Sequence, residues 1–202
     1  MKKVLTYIVF PLAIIALLWF VVQSVSEPVK FNKERDARQQ EAITILKDIR
    51  TLQVAYKNVH NQYAPAMDSL IDFYNNGNMT IVKQIGSMDD SLAVAMKLVK
   101  RENILIPVKD TLFNDRPNFN PESLRYIPFS GGDTVIMKSV VKMVSGVPVP
   151  LFEADIPFDS LLKGMDHQLI VNLNYERTST GRFPGLQVGS IENPNNNAGN
   201  WE

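Results

Sequence analysis

Residues 4–22 read VLTYIVFPLAIIALLWFVV, nineteen positions without a charge. Wound as a helix rising 1.5 Å per residue, the stretch is about 29 Å long, close to the ~30 Å hydrocarbon core of a bilayer. Trp19 and Phe20 stand near its end, where aromatic rings favour the membrane interface. Pro11 would weaken an isolated helix in water but is tolerated in membrane segments, where neighbouring groups satisfy the freed backbone. Residues 1–26 are therefore predicted to form an uncleaved membrane anchor that meets the lipid bilayer through residues 4–22. The alternative is a cleaved signal peptide. Met1-Lys2-Lys3 would serve as its basic region and Ser24-Val25-Ser26 as small residues for release after Ser26. The apolar run, however, exceeds the ~7–15 residues usual in signal peptides, which favours the anchor.

The flanking charges pull in two directions. Lys2 and Lys3 favour a cytoplasmic N-terminus, whereas Lys30, Lys33, Arg35 and Arg38 follow the span and, counted strictly, favour the reverse. A short charged tip leading a long apolar run has the form of a signal anchor, so the expected topology is N-terminus inside and C-terminal domain outside the cytoplasm.

Beyond Glu27-Pro28 the periodicity becomes that of an amphipathic helix. Ala42, Ile45, Ile49, Leu52, Tyr56, Val59 and Tyr63 recur in steps of three and four, which places them on one face. Lys47, Asp48, Arg50, Lys57 and Asn58 take the other face. About three heptads are short for a coiled coil, so this stripe is expected to lie on the chain's own sheet, with a partner helix as the alternative. Ala64-Pro65 closes the segment, giving a helical region over 27–66.

Residues 67–192 read as α+β. A short helix is expected over 68–75, a strand over 79–85, a helix over 92–101 opened by Asp89-Asp90-Ser91, and a strand over 104–108. Later the β character dominates. A hairpin is expected from strands 124–129 and 134–144 about Ser130-Gly131-Gly132-Asp133, followed by a turn at Ser145-Gly146 into a strand over 147–154. A brief helix over 159–164 and strands over 168–175 and 186–191 complete the domain. The Asn-rich tail, 193–202, is expected to be mobile unless Trp201 docks. Helices first and antiparallel strands later define an α+β fold, with one long N-terminal helix running from the membrane onto an antiparallel sheet.

This order resembles that of type IV pilins and secretion pseudopilins. The matching pieces are Lys2-Lys3, residues 4–22, Pro28, the stripe from Ala42 to Val59, and Asn61-Gln62-Tyr63-Ala64-Pro65, which is similar to the segment that closes the pseudopilin helix. The resemblance covers about the first 75 residues and implies a structural or assembly role. One departure limits it. The family's processing site, a glycine followed by a Phe-Thr-Leu-Ile-Glu type of sequence, is absent, and no glutamate lies inside the apolar run. Cleavage by prepilin peptidase and ordinary pilus assembly are therefore not expected.

Composition excludes several classes. Lys plus Arg and Asp plus Glu number 21 each, so the basic excess of a nucleic-acid binder is missing. With no cysteine there is neither a disulfide framework nor a thiolate metal site. Two histidines, His60 and His167, leave little for a metal centre, and no cofactor is expected. Gly-rich phosphate loops, the H-E-x-x-H pattern and a nucleophile elbow are all missing. Asp166-His167 reads as a surface or structural pair rather than a catalytic one. No catalytic residue is assigned and an enzyme is not expected.

One short pattern is over-represented. Asp, then Ser or Thr, then an aliphatic residue occurs at Asp68-Ser69-Leu70, Asp90-Ser91-Leu92, Asp110-Thr111-Leu112, Asp133-Thr134-Val135 and Asp159-Ser160-Leu161. Chance predicts roughly one such triplet or fewer. The pattern resembles the O-glycosylation acceptor motif of Bacteroidota, and that resemblance makes Ser69, Ser91, Thr111, Thr134 and Ser160 candidate acceptors in an extracytoplasmic domain. The same triplet also suits a helix start, with Asp or Ser as cap and the aliphatic residue opening the buried face. At Asp68, Asp90 and Asp159 a cap is expected. The sequence thus predicts a non-enzymatic envelope protein of structural or assembly type, anchored in the bacterial inner membrane with its C-terminal domain in the periplasm and partnered by another envelope protein or by itself. The alternatives are a secreted binding module released after Ser26 and an enzyme with an unfamiliar site.

Overall fold

The computed structural model describes residue 7 and residues 10–85 and 100–202. Its dominant element is α1, Phe10–His60, a single helix of 51 residues and therefore roughly 75 Å long. Pro28 lies inside it without ending it. The helix stops where Asn61 turns left-handed, φ 58°, and its N–H bonds back to Lys57 O at 2.8 Å. Asparagine tolerates that conformation better than most residues, which makes it a fitting helix end.

The remaining elements are α2 (Met67–Asn76), β1 (Asn78–Ile85), β2 (Lys100–Pro107), α3 (Val108–Thr111), a 3-10 turn (Pro121–Arg125), β3 (Ile136–Val144), β4 (Val147–Pro157), α4 (Phe158–Leu161), α5 (His167–Ser179) and β5 (Gly185–Gly189). The strands form two antiparallel sheets. One is the ribbon β1–β2, in register from Asn78↔Pro107 to Ile85↔Lys100. The other has the order β3-β4-β5, with Ile136↔Asp155 to Val144↔Val147 on one side of β4 and Glu153↔Gly189 to Pro157↔Gly185 on the other. The fold is α+β, a long N-terminal helix with antiparallel sheets.

The core lies where the C-terminal half of α1 crosses this sheet. Ala42, Leu46, Ile49 and Leu52 meet Phe152, Ala154 and Ile156 of β4 and Leu186 and Val188 of β5, all fully or almost fully buried. Alternation along β4 turns one set of side chains toward the helix. α2 adds Leu70, Ile71 and Phe73, and α4 adds Phe158, Leu161 and the neighbouring Leu162.

Several expectations are corrected. Residues 124–129 do not form a strand. Pro121 starts a 3-10 turn capped by Asn120, Pro128 has no N–H for a ladder, and only an isolated bridge, Tyr126↔Thr134, survives. Residues 168–175 belong to helix α5, not a strand. Asp166 Oδ1 accepts from Leu169 N at 2.9 Å and starts the helix, and the cap outweighs the β preference of the Leu-Ile-Val run. The tail, expected to be mobile unless Trp201 docks, is docked. Gly199 bridges to Val188, Asn197 bonds Tyr63, Glu202 pairs with Arg50, and Trp201 packs on the core. Val108, expected in a strand, opens α3. The helix expected over 92–101 lies mostly outside the described residues, and its last two positions belong to β2.

Candidate functional site

Two features of α1 define the region most open to function. Its N-terminal part is apolar and uncovered. Leu12, Ile15, Leu18, Trp19, Phe20, Val22 and Val25 are all exposed, Trp19 by 60%. After this exposed run, Phe31 is the first apolar residue to be buried against the folded head. This is one helix long and apolar enough to cross a membrane, near the N-terminus. Its exposed greasy surface is far larger than a water-soluble domain ordinarily leaves uncovered.

The second feature is the stripe. Ala42, Ile49 and Leu52 are fully buried under the sheet, Ile45 and Tyr56 are partly buried against it, and Val59 is exposed. Tyr63, beyond the helix, is buried and packs its ring 4.8 Å from that of Phe152. The structure therefore brings the stripe onto the chain's own head rather than leaving it free for a partner helix. Between stripe positions the fold also buries Gln53. Its amide accepts from Ala64 N at 2.8 Å and donates to Ala64 O at 3.2 Å, pinning the chain just past the helix.

The acceptor triplets are scattered, not assembled. Ser69 is half-buried in the first turn of α2 and Thr134 is exposed at its bridge to Tyr126. Thr111 is half-buried and donates its hydroxyl to Pro107 O at 3.2 Å, and Ser160 is half-buried on α4. Ser91, with Asp89 and Asp90, falls outside the described residues. The caps expected at Asp68 and Asp159 are not made. α2 and α4 start at Met67 and Phe158, with Ala66 and Pro157 before them and no side-chain cap bond. Each aspartate sits one residue inside its helix, where it meets the positive end of the dipole. Asp68 pairs with Arg125, and Asp159 accepts from Asn174 Nδ2 at 2.8 Å.

Among the described residues, no hydrogen bond joins Asp166 to His167. Asp166 is spent as the cap of α5 and His167 is exposed in its first turn. His60 stacks on Tyr56, ring centroids 4.1 Å apart, and lines an open groove of about 510 Å³ with Ser69, Asp72 and Phe73. Among the described residues, no group of three or more His, Asp or Glu side chains could hold a metal ion.

Sequence reading missed two polar clusters. Asp48, on the polar side of the stripe, is buried and takes a bidentate pair from Arg116, at 2.7 and 2.9 Å. That guanidinium also stands over the rings of Phe113 and Phe119. Bonding to Asp48 holds the Arg116 pKa above its ordinary value. The second cluster is on the face of β4 turned away from α1. Glu153 and Asp155, both buried, share Lys138 of β3, at 3.3 and 3.7 Å. Asp155 also accepts from Gln187 Nε2 of β5 at 2.9 Å, and Glu153 from Ile191 N at 3.3 Å. Burial pushes the Asp155 carboxyl up to about 6, with Glu153 adding to the rise and Gln187 and Lys138 opposing it. The only advance signal was Glu-Ala-Asp inside an apolar strand pattern, two carboxylates two residues apart. The pair ties three strands together.

Compared with known proteins, the chain matches no family model, no curated protein and no solved structure.

Proposed function

We propose that this chain is a single-pass membrane protein of a bacterial envelope, with its N-terminus in the cytoplasm and its head outside it, acting as a non-enzymatic structural or assembly subunit. The observation that carries the reading is the division of labour along α1. One unbroken helix has an exposed apolar N-terminal part and a C-terminal half that forms the head's core. Such a helix couples anchor and head without a flexible joint, so the head keeps a set height and direction above the lipid. From Glu27 to His60 the helix adds about 50 Å. Confinement to the bilayer raises the effective concentration of the head toward anchored partners, so modest contacts suffice. The same continuity supports an uncleaved anchor, because Ser24-Val25-Ser26 lies within the helix rather than in an extended segment.

The test is topology in cells. A reporter fused after Glu202 that is active only outside the cytoplasm is the expected result, with the intact chain retained in membranes after alkaline carbonate extraction. A mature N-terminus at Glu27 would move the protein to the secreted reading, and a reporter active only in the cytosol would overturn the orientation.

A further inference from the structure

The three-stranded sheet has two edges, and the chain treats them differently. At β5 the C-terminal segment closes the edge: Gly189 N donates to Ala198 O at 3.0 Å, Asn200 N to Gln187 O at 2.9 Å, and Val188 bridges Gly199. At β3 nothing comparable occurs among the described residues: no backbone hydrogen bond among them reaches residues 136–144 from anywhere but β4. The ladder from Ile136↔Asp155 to Val144↔Val147 is continuous, so no bulge twists this edge away, and β3 contains no proline. Proteins ordinarily blunt a strand edge of this length.

The hairpin tip is also uncovered. Met137, Ser139, Val141 and Met143 share the face of Ala154 and Phe152, which lie in the core. Gln53 Nε2 reaches Met137 Sδ at 3.1 Å, beside Ala154 of β4, whereas Arg38, earlier in α1, donates to Leu161 O and Lys163 O beyond the C-terminal end of β4. β4 therefore runs against α1 and β3 runs along it. Val141 and Met143 are left 55% and 69% exposed, and Val147 across the Ser145-Gly146 turn is 59% exposed. On the opposite face Lys138 is paired with Glu153 and Asp155, but Lys142 finds only the Glu192 carbonyl, at 3.4 Å, and no carboxylate among the described residues.

A second copy in the same bilayer does not fit this edge. Pairing β3 with β3 about a two-fold axis makes the strands antiparallel. Because β3 follows α1, that operation would turn one anchor away from the membrane. Head-to-tail growth through the sheet is blocked at β5. We propose that the β3 edge receives an extended strand donated by a different polypeptide, apolar where it meets Val141 and Met143 and carrying a carboxylate beside Lys142. The proposal deepens the assembly reading above and rests on it. Main-chain bonds would supply the attachment and alternate side chains the selectivity, as in strand addition generally.

The experiment uses the full chain in lipid nanodiscs and a synthetic nine-residue peptide alternating valine and threonine about a central glutamate. The peptide should slow amide exchange across 136–144 and bind about three- to fivefold more tightly than its central-lysine counterpart, the range of one cross-strand charge pair. Lys142→Glu, an exposed change that leaves melting unaltered, should reverse that order, and backbone N-methylation of the peptide should abolish binding. Equal affinity for the two peptides, absence of protection at β3, or failure of Lys142→Glu to reverse the preference would overturn the proposal. A particle mass at a multiple of 22.8 kDa, with β3 already protected without peptide, would overturn it in favour of self-assembly, including pairing through β1 or β2. Carbonate extraction is scored separately. An anchored chain that ignores every peptide ends this proposal and leaves the anchored assembly reading standing.

Discussion

Asp155 brings a carboxyl group to the face of β4 away from α1, where burial outweighs the help of Gln187 and Lys138. Its pKa is raised to about 6, above the ordinary 3.8, so the folded state binds its proton more tightly than the unfolded chain does. Stability from this group is therefore fully present below about pH 4 and lost as pH rises through about 6. Asp155→Asn should stabilise the protein at pH 8 by on the order of 2 kcal/mol, and the gain should fade as pH falls toward 4. Denaturation of both proteins across that range checks the sign. An asparagine variant less stable at pH 8 would mean that the Lys138 and Gln187 contacts outweigh desolvation. Ile49 makes the complementary case in the stripe. It is fully buried, so Ile49→Asp places an unpaired charge in the core and should cost roughly 3 kcal/mol or more. Unchanged melting would place that face in solvent. Both residues belong to legible patterns, a helical stripe and an alternating strand. Only the stripe announced its role, because the burial of a charged pair depends on what the fold lays over it.

At the scale of elements, two attachments hold the irregular parts onto α1. The segment after α3 is fastened by Arg116 to Asp48 and by its stack with Phe113 and Phe119. Arg116→Ala should destabilise by about 1–2 kcal/mol, since the guanidinium is partly exposed but Asp48 would be left buried without its partner. Equilibrium unfolding in detergent measures this, and Arg116→Lys should restore only part because it cannot bond the carboxylate bidentately. The C-terminal segment is the second attachment. Ending the chain after Asn195 removes the Asn197–Tyr63 bond, the Arg50–Glu202 pair, the bridge to Val188 and the packing of Trp201. A loss of about 2–4 kcal/mol is expected, together with faster amide exchange along β5. An unchanged melting curve would make the tail an ornament. Composition gave no warning of its role, because asparagine and glycine favour turns wherever they occur and the docking site lies 130 or so residues away (about that separation between Tyr63 and Asn197). α5 shows the opposite failure. Its Leu-Ile-Val run resembled a strand locally, while the decisive cap from Asp166 to Leu169 N is a single hydrogen bond.

For the whole molecule, the consequence of a rigid α1 is mechanical. A two-residue glycine insertion after Pro28 should leave the head folded, since its core begins at Phe31, but should loosen its orientation above the bilayer. Distance measurements between a spin label on the head and lipid headgroups should then broaden, whereas the natural chain should give a narrow distribution. A broad distribution in the natural chain would argue that helix and head are not rigidly joined. The sequence by itself determined the long apolar-then-amphipathic helix, the α+β class and the absence of thiol chemistry, because these follow from local periodicity and composition. Tertiary structure alone decided which strands cover the stripe, that the tail closes one sheet edge, and that no described segment closes the other. Those outcomes depend on which distant segments meet. A pattern repeating every few residues records which face seeks burial, but it carries no record of what the face will meet.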